Sequence, residues 1–420
     1  MVKKILISIT NRSSYNKVKT IVQNFPQDIE VTFLLGGSVN LYRYGMVGEL
    51  IQNDFPNIRY IKIHLAVEGD DVEKMSKTVG MGIVEVATIL SNEHFDAVLT
   101  VADRFETMAV AIAASYANIP LIHLQGGEQT GTIDDKVRNS ISQLADYHFP
   151  CTELAANRLR IRARDCRNIY NYGCPSMDLF CSGNLKKLRL GSDDASDDAM
   201  CLGDMIDNTS HTINNTGTGD VINVEKPYVI VMLHADTTDK LFHKKMFHLR
   251  DALNHIGMQE VVFWNNFDPG GDKIAKVWRE RQHVLSGKPT RIRYIRHLCP
   301  EDFGDALYLS SCIVGNSSAG IRESSFLGTP SVNIGDRQYS RECAENCVSV
   351  PFSKTAIADA IGYSVERLST KPSNLYGNGH AGQDIARRIS DVLWNRQTWL
   401  EKFLEKEKTE FNATSVNTVL

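Results

Sequence analysis

The chain has 420 residues, 42% of them hydrophobic and 23% charged, with a formal net charge of -4. That length suits two cores of ordinary size, and the acidic balance excludes the basic stripe that nucleic-acid binding requires. Nine cysteines lie between Cys151 and Cys347 with no CxxC spacing, which excludes the usual zinc and redox motifs and leaves them as reduced core residues. No apolar run approaches the roughly 20 residues of a membrane helix. The opening MVKKILISIT lacks a small-residue cleavage site. The expectation is a cytoplasmic protein without membrane or nucleic-acid contacts.

In chain order, apolar strand-like runs alternate with helical patterns. Residues 4–10 read as a strand and 15–24 as the helix after it. Strands follow at 31–35, 96–101 (DAVLTV) and 120–124 (PLIHL), with an alanine-rich helix over 105–117 between the last two. A glycine loop, GGE at 126–128, precedes a helix starting near Asp134, and strands at 149–151 and 169–172 complete a first domain over 1–181. Residues 182–222 turn polar, as in GSDDASDD and NNTGTGD. A stretch so poor in apolar surface reads as a partly mobile insertion or linker. The alternation resumes over 223–383, with strands at 228–233, 261–264, 291–295, 312–314 and 331–334. A long amphipathic pattern at 384–404 opens the final segment, 384–420. The predicted fold class is α/β, with two parallel sheets covered on both faces.

Ligands in such sheets bind beyond the carboxyl ends of the strands. There the chain places NRSS (11–14), Asp103 with Arg104, QGGE (125–128), His234, Asn265 with Asn266, and GNSS (315–318). Polar groups gather at one end of both sheets, which predicts a cleft between two domains. The segment GNSSAG (315–320) lets backbone N–H groups approach an anion, and a following helix would add its positive end. Glu323 can accept ribose hydroxyls, and Arg12 can meet a phosphate from the opposite domain. Asp134 and Asp135 open a helix, where capping explains one of them. Asp103 and Glu128, with His123, His148 and His234, supply groups for proton chemistry on a sugar. No metal-ligand spacing occurs among them.

The motifs NRSSY (11–15), DRFE (103–106), GGEQTGTIDD (126–135), YGCPS (172–176), GNSSAGIRE (315–323) and GTPSVNIG (328–335) run in order along the chain. With them the chain resembles the hydrolysing UDP-N-acetylglucosamine 2-epimerases of sialic-acid biosynthesis, bacterial enzymes and the epimerase half of the animal epimerase/kinase. The polar insertion lies outside the match. The resemblance implies two Rossmann-like domains of the GT-B type with UDP in the cleft, and a C-terminal helix crossing back to the first domain. It further implies a homodimer or homotetramer and no cofactor or metal. Its reaction eliminates UDP from UDP-N-acetylglucosamine to leave a glycal, then adds water to give N-acetylmannosamine. By position, Asp103, Asp134, Gln125, His123 and His148 fall at catalytic places. Arg12, Arg104, His234, Asn266, Ser317, Ser318, Arg322, Glu323 and Arg341 fall with the UDP contacts.

The chain departs from the pattern at proton-handling positions. The animal enzyme has a glutamate at Gln125, and a neutral amide cannot exchange a proton. VAD (101–103) replaces HGD, and Asn139 and Asp146 stand where histidines are found. Glu128 is the expected substitute for the missing acid. Alternatives left open are the same chemistry on UDP-2,4-diacetamido-trideoxyhexose and a UDP-sugar-binding protein of low activity.

Overall fold

The computed structural model describes residues 2–394 except 46, 68, 70–72, 164–167, 182–205, 208–211, 214–216, 240, 286–290 and 368–369. Its first sheet contains β1 (Lys3–Ile9), β2 (Ile29–Leu35), β3 (Arg59–Lys62), β4 (Ala97–Val101), β5 (Leu121–Leu124) and β6 (Tyr147–Phe149). The strands are parallel, in the order β3-β2-β1-β4-β5-β6. This is the doubly wound arrangement, with its switch point between β1 and β4. Around it pack α1 (Arg12–Gln23), α2 (Val47–Asp54), α3 (Glu73–Asn92), α4 (Phe105–Tyr116), α5 (Ile133–Leu144) and α6 (Glu153–Arg162). Both faces are covered, so the central strands are buried on either side: all five residues of β4 are buried. Helix α1 starts where Asn11 and Ser14 exchange hydrogen bonds in a capping box.

Between the domains, β7 (Ile206–Asp207), β8 (Thr212–Ile213) and β10 (Ile222–Asn223) form a small antiparallel sheet. Strand β9 (Thr218–Gly219) joins the second large sheet. The polar stretch therefore ends in ordered strands, secured by its few apolar residues: Ile213 and Ile222 are fully buried. Residues 182–205 of that expectation lie outside the described residues.

The second sheet contains β11 (Tyr228–Met232), β12 (Gln259–Phe263), β13 (Ile292–Ile295), β14 (Cys312–Gly315), β15 (Ser331–Ile334) and β16 (Cys347–Val350). Its order is β16-β15-β14-β11-β12-β13-β9, parallel except that β9 covers the β13 edge antiparallel. Helices α7 (Phe242–Ile256), α8 (Gly271–Leu285), α9 (Pro300–Leu309), α10 (Glu323–Leu327) and α11 (Lys354–Glu366) belong to this domain. The last, α12 (Ala381–Trp394), buries Ala381, Ile385, Ala386, Ile389 and Leu393 in the core of the first domain with Val18, Ile21 and Val22 of α1. The chain thus crosses between the domains twice. The crossings touch where the Cys174 N–H donates to the Tyr376 carbonyl at 2.7 Å. Gly173 (φ +92°) backs onto Gly377 there, and a side chain at Gly173 would strike that backbone.

The segment read as a strand over 169–172 makes only the bridge Ile169 to His148. Beyond it, Tyr170 and Tyr172 pack their rings on Phe149 at 5.7 and 6.4 Å. Burying those rings takes the place of a ladder.

Candidate active site

The loops after β1, β4 and β5 face those after β11, β12 and β14 across a cleft of about 230 Å³. Arg12, Asp103, Arg104, Gln125, Asp134, His234, Asn266, Ser317, Ser318, Arg322, Glu323 and Arg341 all line it.

On the first wall, the residues ending two strands are strained. Ala102 (φ +58°) and Gln125 (φ +63°) are left-handed without being glycine, a conformation that persists only where its surroundings enforce it. Buried His123 enforces the first. Its Nε2 lies 2.8 Å from the Ala102 carbonyl, which can only accept, so Nδ1 accepts from Ser142 Oγ at 3.1 Å. Burial lowers the imidazole to about 4, keeping it neutral. His123 therefore supports the backbone that presents Asp103 and does not line the cleft. His148 is fully buried beside it on β6 and does not line the cleft either.

Asp103 is ion-paired with Arg138 of α5. Burial raises its carboxyl, but the positive charges of Arg138, Arg341 and Lys17 override this and hold it well below the usual range. Neither aspartate caps α5, because Thr132 does, its hydroxyl accepting from the Asp134 N–H at 3.3 Å; Asp135 instead holds the preceding loop, accepting from the Thr130 and Gly131 N–H groups at 2.8 and 2.7 Å. Its neighbour Asp134 faces the cleft, and burial plus the charge of Asp103 raise it to about 6. Two carboxyls driven apart in this way are an acid–base arrangement. Lys17, one turn into α1, also lines the cleft. Its buried ammonium bonds Ser13 Oγ at 2.5 Å, and burial followed by the charge of Arg322 lowers its pKa.

The second wall carries binding groups. Gly315 (φ +143°) packs so closely that a side chain would strike the Met232 carbonyl. The Asn316 amide clamps the end of β11, accepting from the His234 N–H at 2.8 Å and donating to the His234 carbonyl at 2.9 Å. Ser317 and Ser318 then face the cavity. The element after them is a single 3-10 turn, Ser318–Gly320, followed by the five-residue α10. Too short for a substantial dipole, it leaves anion binding to backbone N–H groups and hydroxyls. Arg322 caps α10 and Glu323 begins it. Glu323 Oε2 and His234 Nδ1 are buried at the cleft without a hydrogen-bond partner. Burial lowers His234 to about 3, so it stays neutral. Arg12 reaches over from the first domain, 5.6 Å from the Phe263 ring. Burial lowers its guanidinium to about 10, with Glu323 opposing the fall.

One expected role needs correction. Glu128 does not line the cleft. It is buried between Arg322 and Arg341, with Arg341 Nη2 at 2.9 Å. Against the opposing effect of burial, those arginines hold it down at about 2. It is an ionised tie between domains, unsuited to replace an acid at 125. Arg322 and Arg341 are correspondingly occupied by Glu128, with only their Nε atoms unpartnered. Arg104 spends its charge on Glu106, at 2.9 Å, and on Asp268 across the cleft.

Sequence reading missed Lys17, Arg138 and Asp268. Arg138 had a signal, since it lies four residues after Asp134 on a helix, and Lys17 shares a helical face with Ser13. Asp268 had none, because its partners come from the other domain. Among the described residues, no group of three His, Cys, Asp or Glu could hold a metal ion, and no helix is long and apolar enough to cross a membrane.

The sequence profile of the family described as UDP-N-acetylglucosamine 2-epimerase matches residues 28–390. The UDP-N,N'-diacetylbacillosamine 2-epimerase (hydrolyzing) of Legionella pneumophila is 28% identical over 94% of this chain and 98% of its own. The UDP-N-acetylglucosamine 2-epimerase of Neisseria meningitidis is 25% identical over 94% and 96%. In fold, the chain is similar to the Methanocaldococcus jannaschii UDP-GlcNAc 2-epimerase solved with UDP-GlcNAc and UDP. The TM-score is 0.72 at 16% identity, covering 92% of this chain and 99% of that one.

Proposed function

Because the chain belongs to the UDP-N-acetylglucosamine 2-epimerase family, we propose that it is a hydrolysing 2-epimerase converting UDP-N-acetylglucosamine to N-acetylmannosamine and UDP. The observation that carries this reading is the pair Asp103 and Asp134, one ionised and one raised to about 6, at the cleft. A proton carrier works best with a pKa near the operating pH. Asp134 meets that condition, while Asp103, tied to Arg138, tunes it. In the first step Asp134 takes the C2 proton as the C1–O bond to UDP breaks, leaving a glycal. Arg12, Ser317, Ser318 and the neighbouring backbone N–H groups receive the charge developing on the diphosphate. Glu323 Oε2 accepts ribose hydroxyls, and neutral His234 donates one hydrogen bond. In the second step a solvent-exchanged proton is delivered to C2 on the opposite face, water bonds C1, and the proton that this water sheds goes to the free carboxylate. The setting proposed is the cytoplasm and the assembly a homodimer or homotetramer.

The test is proton NMR of purified protein with UDP-N-acetylglucosamine in D2O. N-acetylmannosamine deuterated at C2, with free UDP, is the expected result. Intact substrate with UDP still binding overturns this substrate in favour of a second reading, the same chemistry on a UDP-2,4-diacetamido-trideoxyhexose. The names of the Legionella pneumophila and Campylobacter jejuni relatives, both diacetylbacillosamine 2-epimerases, favour that reading.

A further inference from the structure

Gln125 ends β5 at the cleft with an amide, and its Nε2 donates to the Cys174 sulfur at 3.2 Å. Cys174 is fully buried in the crossing between domains. Its sulfur also receives Arg322 Nη1 at 3.8 Å, lies 3.4 Å from the Ser176 hydroxyl oxygen, to which the thiol form donates, and has the buried Cys151 thiol beside it. Lys17 stands within electrostatic range on α1. That ammonium is buried, and no carboxylate forms an ion pair with it among the described residues. A buried ammonium without a counter-anion is costly. The nearby carboxylates are largely committed elsewhere. Asp103 pairs with Arg138, Glu128 with Arg322 and Arg341, and Asp178 accepts from the Ala381 and Gly382 N–H groups. Glu323 is raised by burial, with Cys174 adding to the rise.

We infer that Cys174 is held as a thiolate, a positioning residue that supplies from behind the cleft wall the negative charge a carboxylate at 125 would bring. The Cys151 hydrogen bond pulls Cys174 well below the usual thiol value, against burial, with Arg322 and Lys17 adding to the effect; Cys151 is pushed up in turn. The residue types at 125 and 174 are then linked. An amide at 125 donates to a thiolate, whereas a carboxylate there would repel it and return the proton to sulfur. The thiolate keeps Lys17 and Arg322 charged at the cleft. Its effect on turnover rests on the proposed function, but its ionisation does not.

The measurement is the ultraviolet thiolate band of the full chain without substrate. It is read as wild type minus Cys174→Ser from mildly acid to mildly alkaline pH, so the cysteines other than Cys151 cancel. The expected result is a band at neutral pH that disappears only in acid, and that Gln125→Glu removes at neutral pH. Should Cys174→Ser fail to fold, wild type minus Gln125→Glu reads the same band. Absence of the band at neutral pH, or its persistence in Gln125→Glu, overturns the inference. Because no substrate is present, failure of the epimerase assay leaves the result intact.

Discussion

On the first domain's wall the chain places ionisable groups, Asp103, Asp134 and Lys17, beside backbone held left-handed at Ala102 and Gln125. On the second it places small residues, neutral polar groups and unsatisfied atoms, Ser317, Ser318, His234 Nδ1 and Glu323 Oε2, on a turn that only Gly315 permits. The first wall stores charge and strain of the sort proton transfer uses. The second offers hydrogen bonds awaiting a partner. The contrast teaches that chemistry and affinity are separable in this molecule.

Asp134→Asn should break the comparison most severely. Turnover is expected to fall by about 10²–10⁴ while UDP affinity, read by calorimetry, holds; a parallel loss of affinity would show that the walls are not independent. Next comes Glu128→Gln, which leaves Arg322 and Arg341 without their anion and should cost about 3–5 kcal/mol of stability. Acid unfolding measures the same tie. The folded-state carboxyl of Glu128 is depressed to about 2, so its stabilisation is present above the unfolded value near 4.3 and fades as pH falls toward 2. If the variant matches wild type in chemical denaturation, the tie is dispensable.

Glu323→Gln sharpens the comparison from the other wall. UDP affinity should drop by about 1.5–3 kcal/mol, with turnover at saturating substrate preserved. The smallest effect is a shift. Activity should rise with pH through about 6, where Asp134 ionises. Asp103→Asn removes a negative neighbour and should move that rise to lower pH; a profile that stays in place would reassign the proton carrier.

The buried central strands were readable because a parallel strand covered on both faces is a short apolar run. Two of the edge strands were not: β3 (Arg59–Lys62) and β16 (Cys347–Val350) are only partly buried and carry mixed residues. Much of the cleft was readable for a topological reason, since residues following the strands must reach it. Partners were hidden where they depend on how two domains meet. Glu128 looked like a free acid in its glycine loop until Arg322 and Arg341 arrived from the other domain. Capping left Asp134 and Asp135 equivalent in the sequence, and the Thr130 and Gly131 N–H groups separate them.

The return of α12 to the first domain has a mechanical consequence. Two crossings, bonded to each other at Cys174 and Tyr376, act as paired pins on a door. Two tethers joined at neighbouring points restrict twisting of one half against the other more than a single linker would. The spacing of the cleft walls is therefore set at the junction of both crossings, where the Cys174 backbone meets Tyr376.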